Sequence, residues 1–286
     1  MTLSSAAKLT VLAFSLLRAS AHAATCEAGT PNAMLQNASP KNWMLLALGG
    51  PTDVSVTGSS TIATLSPAYL GVSWPGNITA TGASSIQTEV LLNTTGHVSQ
   101  GSPSYLGPIT QGDDADQYLS MARQDAVTGS MCAASLLPTS RISSVELSAP
   151  ASNLNIAAEQ IVNVVNLTDL ILSNSTLTLS SHVQHDPPPT LIVNISGKFQ
   201  MSDSKIALEG TLDEMHVLFN VTGLGDEVAL SGAAGSDGRP TTQLSGILLA
   251  PLRNINLSSV VVNGTVLGGA DRIVVSSGSQ IVRRLQ

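Results

Sequence analysis

The chain has 286 residues, of which 43% are hydrophobic, 11% charged and 3% aromatic, enough to bury one sizeable core and too apolar for intrinsic disorder. A net charge of -7 and a pI near 5.0 leave no basic footprint for tracking a phosphate backbone, so no nucleic-acid partner is expected. Charge this sparse leaves the surface to 63 serines and threonines and 15 asparagines, polar but nearly neutral, around an aliphatic core.

In chain order, Lys8, the apolar run Leu9 to Leu17 and the small residues ending in Ala21-His22-Ala23 read as a secretory signal peptide over residues 1–23. That run is too short to span a bilayer, and Ile281 to Gln286 shows no hydrophobic tail for a lipid anchor, so a soluble, extracellular chain with no membrane span is expected. Residues 24–42 form a lead-in segment that holds Cys26. In an oxidising compartment its natural partner is Cys132, the one other cysteine; the alternative is two unrelated buried thiols.

From Trp43 onward, residues 43–286 read as a single repetitive β domain. Its early coils, Val54 to Leu65 and Asn77 to Leu92, are weakly patterned. Asp113 to about residue 127 breaks the pattern: Ala115, Tyr118, Leu119, Ala122 and Ala126 follow helical spacing, with acidic residues in the first turn where the helix dipole favours them. This predicts one amphipathic helix, ending near Gly129, that lies along the β domain or caps it.

The strongest signal is a repeat. Val164-Val165-Asn166-Leu167-Thr168-Asp169, Ile192-Val193-Asn194-Ile195-Ser196-Gly197 and Leu218-Phe219-Asn220-Val221-Thr222-Gly223 each read apolar, apolar, Asn, apolar, Ser/Thr, turn, at offsets of 28 and 26 residues. A second strand-like run follows each, and a shorter pair, Leu244 to Ala250 and Val262 to Gly268, is offset by 18. Repeats of this size bury their apolar face only by stacking, so the predicted fold is all-β, a parallel β-helix or β-solenoid. Period-two alternation sends Val165 and Leu167 one way and Asn166 and Thr168 the other, giving an expected outward ladder of Asn166, Thr168, Asn194, Ser196, Asn220 and Thr222.

Asn-x-Ser/Thr occurs nine times, at Asn37, Asn77, Asn93, Asn166, Asn174, Asn194, Asn220, Asn256 and Asn263, more often than this Ser/Thr content would place it by chance. These asparagines are candidate N-glycosylation sites in a eukaryotic secretory pathway; the alternative is a strand pattern that happens to put Asn two residues before Ser/Thr.

Catalytic chemistry finds little support. His182, His185 and Asp186 are the one cluster of potential metal ligands, and a polar loop between coils explains them better than a metal does. Asp113-Asp114 reads as a helix start, no second acid recurs one coil away as paired-carboxylate hydrolysis requires, and no nucleophile elbow, phosphate loop or dinucleotide fingerprint is present. No enzyme activity, metal or cofactor is expected.

Residues 140–280, above all Leu244 to Gly268 (LSGILLAPLRNINLSSVVVNGTVLG), resemble the choice-of-anchor A domain. The resemblance implies a secreted or surface β-solenoid. The order of early coils, helix and later coils also resembles the microbial ice-binding β-solenoid proteins, which implies a flat Thr/Ser-rich face that orders water; Thr79-Ala80-Thr81 and Thr176-Leu177-Thr178 are the Thr-x-Thr pairs available for one. The expected function is a non-catalytic extracellular surface, matrix or adhesion component that contacts a surface or matrix partner, with ice binding as the alternative and polysaccharide cleavage third.

Overall fold

In this computed structural model the described residues are 26 and 29–283, less 50–52, 59, 65–68, 73–77, 81–84, 88, 89, 94–97, 101–108, 111, 112, 141 and 149–151. The signal-peptide reading of residues 1–23 lies outside them.

The lead-in folds first. Thr30 caps helix α1 (Pro31–Leu35), whose proline suits the first helical turn, and a 3-10 turn (Gln36–Ala38) follows. Then come β1 (Trp43–Ala47), β2 (Asp53–Val56), β3 (Thr61–Thr64), β4 (Tyr69–Val72), β5 (Ile78–Ala80), β6 (Ser85–Gln87), β7 (Val90–Asn93), β8 (Val98–Gln100) and β9 (Ile109–Thr110). Helix α2 (Asp113–Ser135) interrupts. Beyond it lie β10 (Val145–Leu147), β11 (Ser152–Ala157), β12 (Val162–Leu167), β13 (Leu170–Ser173), β14 (Ser175–Ser181), β15 (Thr190–Ile195), β16 (Phe199–Ser202) and β17 (Lys205–Gly210). The chain finishes with β18 (Val217–Val221), β19 (Val228–Ser231), β20 (Thr242–Ala250), β21 (Ile255–Ser258), β22 (Val260–Gly268), β23 (Arg272–Ser276) and β24 (Gln280–Arg283).

All named strands pair in parallel, and they form the three faces of a solenoid. Face 1 stacks β12, β15, β18, the second halves of β20 and β22, then β1, β4, β7 and β9. Face 2 stacks β10, β13, β16, β19, β21, β23, β2, β5 and β8. Face 3 stacks β11, β14, β17, the first halves of β20 and β22, then β24, β3 and β6. The repeats read from the sequence are in register: Asn166 pairs with Asn194 and Asn194 with Asn220, while Leu244 pairs with Val262.

Coil order in space differs from coil order in the chain. The last strands, β23 and β24, stack on β2 and β3 of the first coils, so the first and last strands meet in the middle of the solenoid. Helix α2 makes this possible. Its 23 residues span about 34 Å at 1.5 Å per residue, close to the roughly 38 Å that nine strands spaced at about 4.8 Å occupy on face 1. The helix therefore carries the chain from one end of the stack back to the other.

Two cores result. Inside the solenoid, Val193, Phe219, Val221, Leu248 and Val266 are among the buried side chains, and the rings of Phe199 and Phe219 stack at 5.7 Å. Outside face 1, Leu119, Ala122 and Ala126 of α2 pack on Ile192, Leu218, Ile247, Leu249 and Leu267. Trp43 joins this second core, stacked on Tyr118 at 5.6 Å and donating from Nε1 to Asn37 O at 2.7 Å.

The helix runs eight residues beyond the predicted end near residue 127. Gly129, which looked like a terminator, is a contact point: a Cβ there would sit 2.6 Å from Leu35 Cδ2 and 2.8 Å from Met34 O, so its missing side chain lets α1 pack against α2. Cys26 and Cys132 then join the lead-in to the far end of the helix by a disulfide, with Cα atoms 5.3 Å apart.

Candidate binding surface

Face 1 holds the predicted asparagine ladder, and the ladder is not on the surface. Alternation does send Asn166, Asn194 and Asn220 away from the solenoid interior, but that side is the one α2 covers, so Asn194 is 6% exposed and Asn220 0%. Both expected outward positions are corrected by this. Asn220 Nδ2 donates to Ser130 O (2.9 Å) and Asn194 Oδ1 (2.8 Å), while its Oδ1 accepts from the Ser130 hydroxyl at 2.6 Å. Asn194 Nδ2 donates to Ala133 O (2.8 Å) and to Asn166 Oδ1 (2.9 Å). The three carboxamides form a chain that ties the last turns of α2 to three successive coils and supplies a second, shorter donor to Ala133 O, whose backbone bond from Leu136 N is long at 3.4 Å.

Thr168, Ser196 and Thr222 lie one corner further on, where face 1 turns into face 2. Thr168 and Ser196 are exposed and Thr222 half-buried. Their corner is held by a residue that the sequence reading passed over. Arg253 is 2% exposed and donates to five carbonyls: Gly223 O from Nε, Gly197 O and Asp226 O from Nη1, Ser196 O and Thr222 O from Nη2, all within 2.9–3.1 Å. Burial pulls its pKa down, and the nearby Asp226 carboxylate pushes it back up. The planar five-donor fork is what lets one side chain staple three coils.

Face 3 is open but chemically mixed. Its outward positions include Thr176 and Thr178, then Lys205 and Ala207 in register with them, with Glu209 beside and Val261 and Asn263 further along. Thr79, by contrast, stands on face 2 between Ser55 and Ser99. The described Thr-x-Thr residues therefore occupy different faces and build no common ladder; Thr81 lies outside the described residues.

Face 2 is uniform. Ser173, Ser202, Ser231, Ser258 and Ser276 pair in unbroken register across five coils. A second outward column runs beside them through Ile171, Gln200, Ala229, Asn256 and Val274. The two columns are about 6.6 Å apart and their members about 4.8 Å apart. None of these ten residues is charged. Charge stays at the border, as in the Arg272–Glu227 pair at 3.2 Å.

The regularity of this face comes from its corner with face 3. Asn174, Asp203, Ser259, Ser277 and Gly58 all take positive φ, between 47° and 62°, which turns the chain through the corner in one residue. Just inside it, Ser175, Ser204, Thr242, Ser279 and Ser60 are buried. Their hydroxyls satisfy the backbone at the bend: Ser204 donates to Ser202 O (2.7 Å), Ser279 to Ser276 O and Ser60 to Thr57 O (2.6 Å each), and Thr242 to Ser231 O. The signal for this was the triplet Ser-x-Ser at 173–175 and 202–204 and the run Ser276 to Ser279. Each places one hydroxyl out and one in.

The remaining sequons are distributed differently. Asn174 is exposed at the corner, Asn256 and Asn263 point outward from faces 2 and 3, and Asn37 donates from Nδ2 to Asp125 Oδ2 at 2.8 Å. Asn77 and the side chain of Asn93 lie outside the described residues. His185 and Asp186 line a shallow open depression with Gln184, Pro188 and Thr211, and no group of three metal-ligating side chains forms among the described residues. No helix there is long and apolar enough to cross a membrane.

A family model described as "Putative Ice-binding-like adhesive domain" matches residues 44–272, from the first strand to the last full coil. The chain belongs to this family. No curated protein matches the sequence. Among solved structures, the chain is similar to an ice-binding protein from the Antarctic ascomycete Antarctomyces psychrotrophicus (15% identity, TM-score 0.50, 88% of this chain and 98% of that one). It is also similar to an ice-binding protein from an Antarctic biological consortium (17%, TM-score 0.54, 91% and 94%) and to the DUF3494 domain of Shewanella frigidimarina ice-binding protein 1 (13%, TM-score 0.52, 91% and 99%). At these identities the likeness is one of fold: a parallel solenoid with one long helix on its side. The family lies on the ice-binding side of the two resemblances read from the sequence.

Proposed function

We propose that this protein is a secreted, non-catalytic adhesive solenoid, and that face 2 is the part of it that lies against an extended, uncharged surface. The observation that carries the reading is the register of Ser173, Ser202, Ser231, Ser258 and Ser276 beside a second uncharged column, on a face that no helix covers among the described residues. A repetitive array of small hydroxyls suits a repetitive target; it offers no concave pocket and no converging acids for catalysis. The membership of an adhesive family supports it, as do the disulfide, which suits an oxidising compartment, and the choice-of-anchor A resemblance of residues 140–280. In this reading residues 1–23 are removed on secretion and 43–286 act as one unit.

Ice is the first surface to test, because the same fold occurs in proteins that bind it. The test is uptake of the purified protein into slowly growing polycrystalline ice, run beside adsorption to hydroxylated silica. Ser202→Arg and Ser231→Arg, each placing a long cation on face 2, are expected to reduce uptake at least tenfold, while Ala207→Arg on face 3 leaves it unchanged. Equal loss from both faces, or none from either, would refute the assignment of face 2.

A further inference from the structure

Asn256 is on β21, the fifth of the nine strands of face 2, and its side chain stands outward between Ala229 and Val274. It is half-exposed, and its carboxamide makes no hydrogen bond among the described residues. It is also the acceptor of an Asn256-Leu257-Ser258 sequon whose third residue belongs to the serine ladder. Asn194 and Asn220 contrast with it on both counts. Each is buried, and each uses both Nδ2 protons in hydrogen bonds, whereas a glycosylated carboxamide keeps only one.

We infer that Asn256 is an N-glycosylation site whose occupancy turns face 2 off, an inference that rests on face 2 being the contact surface. The donor is an oligosaccharide on a lipid diphosphate. Nδ2 of Asn256 forms the bond to C1 of the first sugar as the bond from C1 to the diphosphate oxygen breaks; the lipid diphosphate leaves with that electron pair, and the amide gives up one proton. The product stands taller than any side chain around it, at the centre of a face about 38 Å long. A flat target then meets the sugar before it meets the serines. Bare chains adhere and glycosylated chains stay free, from one gene product.

The experiment secretes the full chain from a eukaryotic host, maps Asn256 by mass spectrometry of its peptide, and measures uptake into polycrystalline ice and adsorption to hydroxylated silica. Asn256 is expected to carry a glycan, and Asn256→Gln to raise uptake on at least one probe at least tenfold. Thr176→Val, which removes the sequon of Asn174 on the neighbouring corner, should not. A bare Asn256 in the secreted wild type, or equal uptake by occupied wild type and Asn256→Gln, overturns the inference alone. If Asn256→Gln adheres but adding Ser231→Arg costs it nothing, or if it adheres to neither probe, the face 2 reading falls and the inference falls with it.

Discussion

Asn220 shows how much one polar side chain does in this molecule. Truncating it strands the Ser130 hydroxyl and the Asn194 carboxamide oxygen in a site closed to water, and each buried group left unpaired costs about 1–3 kcal/mol. Asn220→Ala is therefore expected to lose about 3 kcal/mol in urea unfolding, and Asn166→Ala, at the half-exposed end of the chain of amides, less than half as much. Equal losses would mean that the ladder contributes by shape and not by hydrogen bonding. A second residue-scale case is Asp203. The Thr241 hydroxyl (2.6 Å) and then the Ala233 amide (2.7 Å) hold its carboxyl below the usual range. A carboxyl more acidic in the folded state contributes stability that is complete above its unfolded pKa and is lost as pH falls through the lowered folded value. Melting temperature should accordingly drop on acidification through that range, and Thr241→Val should flatten the drop; an unchanged acid limb would show that Asp203 does not govern it.

At the scale of elements, alternation told which side chains left the solenoid interior but not what lay beyond them. The doublets Val164-Val165, Ile192-Val193 and Leu218-Phe219 carried the missing information, since two adjacent apolar residues in a strand mean that both sides are covered. One member of each packs inside and the other beneath α2. The buried corner serines were harder to see, because a serine that satisfies a bend has the same letter as one in solvent. Glycine marks another kind of corner. β20 and β22 pass from face 3 to face 1 without a loop, bending at Gly246 (φ 137°) and Gly264 (φ 144°), which stack on each other. A Cβ at Gly264 would run into the Gly246 carbonyl oxygen. Gly264→Ala combines that clash with a backbone conformation side chains avoid, and should cost about 3 kcal/mol; a loss below about 1 kcal/mol, the ordinary cost of changing a glycine, would contradict the bend.

For the whole molecule, the sequence told of coils before and after a helix, and the pairings show that the later coils return to the earlier ones. Nothing local distinguishes β24 stacking on β3 from β24 ending the stack, because the registry is set between segments more than 200 residues apart. The disulfide works at this scale too. With Cys26 and Cys132 separated by 106 positions in sequence, the chain-entropy account gives roughly 4–5 kcal/mol of stabilisation, so reduction or the Cys26→Ser, Cys132→Ser pair should lower the unfolding midpoint markedly. An unchanged midpoint would place the stabilising effect of that crossing in the packing of α1 on α2.

The meeting of the first and last strands also bears on synthesis. A ribosome delivers β1 to β3 early, yet the strands that cover one side of them, β22 to β24, emerge more than 200 residues later. Until then the first coils present open strand edges, protected on face 1 by the helix already folded across them. A chain lacking β22 to β24 would thus be not a shorter solenoid but one divided at its middle, with two unpaired sheet edges facing each other.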